Sequence, residues 1–219
     1  MKRRQAIKIS SIAAIGATAT ISSGCSSNEF SFNHGVASGD PLEDRVILWT
    51  RVTPSKPGPL NVILEISQNE KFSDISFVKK LQTSSLSDYT IKYDFLANNY
   101  CDGHKGFFYR FRAGDAISEV GQSKIFSSET QEIKIGIFSC SNYPAGYFNA
   151  YEAAAEKNDL DLWLHLGDYL YEYPMGGYAT ESAEKLGRTP NPKHEMITLS
   201  DYRQRHAQYK LDQGSQALH

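Results

Sequence analysis

Between Phe32 and Ser127 the apolar residues recur at every second position in one short run after another, and after Thr130 two such runs flank an alanine-rich helical stretch; this change of pattern divides the chain into two kinds of structure. Val46–Val52, Asn61–Ser67, Phe77–Thr83, Thr90–Leu96, Gly106–Ala113 and Val120–Phe126 each alternate, and each is bounded by clusters of Gly, Pro, Asp, Asn and Ser. Alternation sends successive side chains to opposite faces of a sheet, so each run has a face to bury. About seven short strands in roughly a hundred residues predict an antiparallel all-β sandwich over residues 31–128. Trp49 is expected in its core. His34 and His104, isolated on loops, are expected to be solvated.

A second unit is expected over residues 132–219. Ile133, Ile135 and Ile137 make a short strand ending at Ser139-Cys140-Ser141-Asn142, an alanine-rich helix runs from Phe148 to Lys157, and Leu160, Leu162, Leu164 and Leu166 make the next strand, which stops at Gly167-Asp168. A strand–helix–strand crossover pairs parallel strands, so both strands end on the same sheet edge, where open α/β sheets bind ligands. Cys140 and Asp168 therefore meet by topology. After a loop rich in Gly, Tyr and Pro, Leu199–Leu211 reads as a helix with Ser200 as its cap and Leu199, Tyr202, His206 and Tyr209 on one face.

Residues 1–30 read as an export signal rather than as part of the fold. Lys2-Arg3-Arg4-Gln5-Ala6-Ile7-Lys8 is a basic segment with paired arginines, followed by a weakly apolar run from Ile9 to Ile21 too short to anchor in a bilayer. The order resembles a twin-arginine signal, with Ala6 in place of a bulky residue. Ser22-Ser23-Gly24-Cys25 resembles a lipidation site with Ser22 where leucine is usual, so a lipid anchor on Cys25 and ordinary cleavage nearby both stay open. The expected location is therefore periplasmic or outer-surface. There a bridge between Cys101 and Cys140 is permitted, although Cys101 sits in a polar loop and reads more simply as an isolated thiol. Lys and Arg number 23 against 25 Asp and Glu, which offers no basic surface for nucleic acid.

The candidate chemistry lies at Cys140, Asp168 and Tyr171. Asp168 and Tyr171 are one helical turn apart, so both reach one ion if the chain coils after the strand. Free phenols and thiols are protonated at neutral pH. A bound metal, as the largest local charge, strips those protons. Thiolate, carboxylate and phenolate together suit ferric iron, and a carboxylate can bridge two metals that clamp a phosphoryl group. A Gly-Asp pair ending a strand is also the composition of a plain turn, and Cys140 alone has the character of a small core residue. His165 reads as a core histidine.

Phe32-Asn33-His34-Gly35-Val36-Ala37-Ser38-Gly39-Asp40-Pro41, then Ile47-Leu48-Trp49-Thr50-Arg51, Ser139-Cys140-Ser141-Asn142, Gly167-Asp168-Tyr169-Leu170-Tyr171-Glu172 and Asp201-Tyr202-Arg203-Gln204-Arg205 resemble, in the same order, the opening of PhoD-type alkaline phosphatases. Phe107–Ala113 is similar to the penultimate strand of a fibronectin type III (Ig-like) domain, where a tyrosine caps a sheet corner. The resemblance implies a secreted phosphoesterase that scavenges phosphate from mono- or diesters. It implies ferric iron (Fe3+) held by Cys140, Asp168 and Tyr171, with Asp168 also reaching calcium (Ca2+). It also implies that the second unit is the start of an α/β metallophosphoesterase-like domain whose later ligands are absent here. About 85 residues after Gln131 do not suffice for two packed sheets, so an incomplete, inactive N-terminal portion is expected.

Two other readings remain at this point. A non-enzymatic surface lipoprotein could use the sandwich to bind a partner without metal. Ser139 or Cys140 could act as a covalent nucleophile, but Ser139 lacks the Gly-x-Ser-x-Gly elbow and no His–Asp pair accompanies either. Arg188, Arg203 and Arg205 suit phosphate or structural ion pairs.

Overall fold

The computed structural model describes residues 29–97, 100, 106–126 and 128–219. Cys25, Cys101, His104 and the basic and apolar leader lie outside the described residues. Among the described residues no helix is long and apolar enough to cross a membrane. The structure is mostly β-sheet with few helices.

The first region contains β1 (Phe30–Ser31), β2 (Val36–Gly39), β3 (Arg45–Arg51), β4 (Thr53–Pro54), β5 (Leu60–Ser67), β6 (Ile75–Thr83), β7 (Thr90–Leu96), β8 (Phe107–Ala113), β9 (Ala116–Ile117) and β10 (Gly121–Ser123). One antiparallel sheet has the order β10-β8-β5-β6 with β9 beside β8, and another has β2-β3-β7; β1 pairs with β4. Alternation decides which residues fill the space between the two larger sheets. Val46 and Leu48 of β3, Val62, Leu64 and Ile66 of β5, Ile91 and Phe95 of β7, and Phe107, Tyr109 and Phe111 of β8 share one core. On the outer face of β5, Glu65 is buried but held by Arg110 at 2.7 Å, its register partner on β8, and by Arg112 at 3.1 Å, which stands opposite Ile63 and reaches Glu65 diagonally. Buried carboxylates persist only when paired in this way. Gly121 is required for space, because a Cβ there would lie 2.3 Å from the Tyr109 ring.

Two first-region expectations are corrected. Trp49 is outside the core: the alternation that buries Val46 and Leu48 turns Trp49 to the opposite face, where His206 meets it edge-on at 6.4 Å and the Lys210 ammonium lies 5.2 Å over its ring. His34 is buried rather than solvated, with Arg51 Nη1 at 3.4 and 3.3 Å from its ring nitrogens. Burial, reinforced by Arg51, lowers its pKa to about 4.

The second region contains β11 (Ile135–Phe138), α1 (Asn149–Lys157), β12 (Leu162–His165), α2 (Leu199–Tyr209) and α3 (Gln213–Leu218). β11 and β12 pair in parallel, Ile135 opposite Leu162 through Phe138 opposite His165. Ile135, Ile137, Leu164 and Leu166 of this two-stranded sheet are exposed. Phe148, Tyr151 and Tyr209 form a small aromatic core with Phe138, Tyr143, Leu170 and Leu218 against it. The cap of α2 is Thr198, not Ser200. Thr198 accepts from the Asp201 N–H, and the Asp201 carboxylate accepts from the Thr198 N–H, a reciprocal arrangement that Ser200 is one turn position too late to make. Leu199 and Tyr202 are exposed, because the buried face of α2 centres on Arg205 and Tyr209.

Helix α2 and the chain after it dock on the β2-β3-β7 sheet. Arg203 donates to the Leu86 carbonyl, Gln216 to the Asn33 carbonyl, and the Ser38 N–H to the His219 carbonyl. Lys210 is buried in this contact, and burial lowers its pKa from 10.5 to about 7. The unfolded chain then holds a proton that the folded chain lacks across that window, so stability rises as pH is raised from about 7 toward 10.5. Urea unfolding midpoints measured at several pH values are expected to climb over this range, and Lys210→Met should flatten the climb.

Candidate metal centre

The two parallel strands end in matched turns. The ladder continues past both: the Leu166 N–H donates to the Phe138 carbonyl at 2.8 Å, the Cys140 N–H to the Gly167 carbonyl at 3.1 Å and the Ser141 N–H to the Asp168 carbonyl at 2.9 Å. Cys140 (φ 60°) and Asp168 (φ 54°) both adopt left-handed backbone, which is costly for residues with a Cβ and is characteristic of functional turns. Gly167, at φ 124°, occupies a conformation that essentially only glycine tolerates.

These turns bring the three sequence-selected side chains together. Cys140 Sγ donates to Asp168 Oδ2 at 3.6 Å, and Tyr171 OH donates to the same oxygen at 3.4 Å. Cys140 and Asp168 are exposed, and Cys140 is a free thiol. Partial burial raises the Tyr171 pKa, and the neighbouring Cys140 and Asp168 raise it further. The thiol and carboxyl beside it thus disfavour ionisation of the Tyr171 phenol, and a cation among the three would reverse that preference.

The donor set fits a metal. Donors bound at about 2.0–2.3 Å and separated by near-tetrahedral or right angles lie roughly 3–3.6 Å apart, and the 3.4 and 3.6 Å contacts fall in that interval. Among the described residues no group of three or more His, Cys, Asp or Glu side chains is placed to hold a metal; here the third donor is a tyrosine.

Other residues act on this cluster indirectly. Arg205 is 1% exposed and donates to the carbonyls of Tyr171, Asn191 and Pro192, which ties α2 to the backbone of Tyr171. Burial lowers its pKa. Arg188 is buried, donating to Asp212 at 2.6 Å and to the Tyr143 carbonyl at 2.7 Å while its guanidinium stacks 3.7 Å from the Tyr143 ring. Arg188, Arg203 and Arg205 thus all hold protein groups. The sequence offered Arg205 a phosphate or an ion pair and gave no sign of these carbonyls, because a guanidinium that caps carbonyls of a distant loop leaves no local pattern. Ser141 lies in the Ser139–Asn142 motif and His165 was expected as a core histidine, but their mutual contact is set only by strand pairing.

Comparison with known proteins gives a consistent picture. A family model described as "PhoD-like phosphatase" matches residues 135–219, and one described as "PhoD-like phosphatase, N-terminal domain" matches residues 17–127. The chain is 37% identical over 207 residues to "Alkaline phosphatase D" of Bacillus subtilis (strain 168), covering 88% of this chain and 33% of that protein. A solved structure titled "Structure of PhoD" superimposes with a TM-score of 0.77 at 35% identity, covering 86% of this chain and 37% of that one. The chain thus spans about a third of the length of these relatives.

Arg205→Met removes a donor from the carbonyls of Tyr171, Asn191 and Pro192, of which the Pro192 contact is buried. It should destabilise the chain by about 3 kcal/mol, read as a lowered urea midpoint at unchanged slope.

Proposed function

This chain belongs to the PhoD-like phosphatase family, and we propose that it is the N-terminal part of an exported metal-dependent phosphoesterase acting on phosphate mono- or diesters. The observation that carries this reading is the convergence of a thiol, a carboxylate and a phenol at the ends of two parallel strands. Cys140, Asp168 and Tyr171 would hold ferric iron, and Asp168, with its second carboxylate oxygen, would also serve calcium. Bound there, such cations supply charge neutralisation for a phosphoryl group under attack. The chain's own part is to bind and orient them: the left-handed turns at Cys140 and Asp168 aim two donors, and Arg205 fixes the backbone that carries the third.

The same proposal extends to architecture and location. The first region is read as a fibronectin III/Ig-like sandwich, supported by two antiparallel sheets closing on one core. The second is read as the start of an α/β metallophosphoesterase-like domain, supported by the parallel β11–β12 pair and its exposed Ile135, Ile137, Leu164 and Leu166. With three donors and about a third of its relatives' length, the chain alone is proposed to be inactive. The basic run at Lys2–Lys8 and the apolar run after it support export, with Cys25 a lipid-anchor candidate; phosphate scavenging is the role proposed outside the cell.

Ferric iron added to the purified chain should produce a visible phenolate-to-iron absorption that Tyr171→Phe abolishes and Cys140→Ala shifts. Hydrolysis of bis(para-nitrophenyl) phosphate by the chain alone should stay at background. An iron-treated chain with no such band would overturn the metal assignment.

A further inference from the structure

Beneath the three donors lies a hydrogen-bonded chain that connects both strand ends. The Gly167 N–H donates to His165 Nδ1 at 3.3 Å, and His165 Nε2 lies 2.9 Å from Ser141 Oγ. The Ser141 hydroxyl also bonds the Tyr151 hydroxyl, which is anchored on α1. Ser141 and Tyr151 are buried at 5% exposure each, and His165 is half-buried with its ring edge-on to Tyr169 at 5.2 Å.

These contacts settle the tautomer. A backbone N–H can only donate, so His165 Nδ1 presents a lone pair, and the ring proton sits on Nε2 and donates to Ser141 Oγ. The neutral ring therefore spans from the residue before Asp168 to the residue after Cys140. Both of those metal-candidate residues hold left-handed backbone, a conformation that lasts only where surrounding contacts enforce it. The ladder bonds from Cys140 and Ser141 to the Gly167 and Asp168 carbonyls tie the two turns to each other through the backbone. Besides the Cys140–Asp168 contact itself, the His165–Ser141 link ties the two turns through side chains.

We propose that His165, acting through Ser141, is a positioning residue that sets the separation of Cys140 and Asp168 for metal binding. This rests on the reading that those side chains hold the metal. Ligand-orienting partners of this kind typically change metal affinity by about 10- to 100-fold when removed. A structural core histidine would instead alter stability alone.

Two measurements on the 219-residue chain decide it. Without metal, nitrogen-15 NMR of the imidazole should show a neutral ring protonated at Nε2, and the Gly167 amide should lose its exchange protection in His165→Ala. With ferric iron, Ser141→Ala, which cuts one end and spares the ring, should weaken binding about tenfold and shift the phenolate-to-iron band, with the circular dichroism of the chain unchanged. His165→Asn, whose side-chain carbonyl can still accept from Gly167, should recover the amide protection but not the iron affinity. An Nδ1-protonated ring, Gly167 exchange indifferent to His165, or Ser141→Ala binding iron as tightly as the parent would each overturn the proposal. Failure of the parent chain to bind iron would instead sink the metal assignment on which the proposal rests, and the metal-free measurement would still judge the His165–Ser141 link.

Discussion

The parallel pairing of β11 with β12 is the constraint on which the rest of this molecule's chemistry depends. Parallel strands finish on one edge, and here the ladder runs on into both turns through the Cys140 and Ser141 amides. That extension brings Cys140 within 3.6 Å of an Asp168 oxygen although 28 positions separate them in the chain. Antiparallel pairing would have put the two turns at opposite ends of the sheet.

The turns themselves are conformationally expensive, with two non-glycine residues in left-handed backbone beside a glycine that is there for its freedom. Their support comes from three directions. Backbone ladder bonds join the two turns across the strands, the His165–Ser141 contact joins them through side chains, and Arg205 holds the segment that follows through the Tyr171 carbonyl. A donor cluster built on such turns is prearranged, so a cation entering it would find its ligands already close to coordinating separation.

The second region also leans on the first. Trp49 gives up a place in the sandwich core to pack against His206 and Lys210, and Arg51 reaches both Asp88 and His34 at the same contact. The buried bases there, His34 near pKa 4 and Lys210 near 7, resist protonation because the contact excludes water. The contact between the regions is consequently better suited to neutral and alkaline conditions than to acid.

Much of this was legible in local pattern. Period two in Thr90–Leu96 coincides with β7, and the Ile and Leu alternations on either side of an alanine-rich stretch led to a parallel strand pair. Cys140, Asp168 and Tyr171 could be picked out because their positions follow from strand ends and a short coil, which are local properties. Trp49, His34 and Ser200 were misjudged for a common reason. Alternation says which face a side chain occupies but not what lies on that face, and a cap is chosen by hydrogen-bond reach rather than by residue type. What the amino-acid order determined by itself was the kind of each segment and the residues proposed as donors. What only the tertiary structure decided was the partner on each face: α2 over Trp49, Arg205 beneath Tyr171, and His165 between two turns. Those partners are fixed by long-range packing, whose contacts join residues with no relation in sequence.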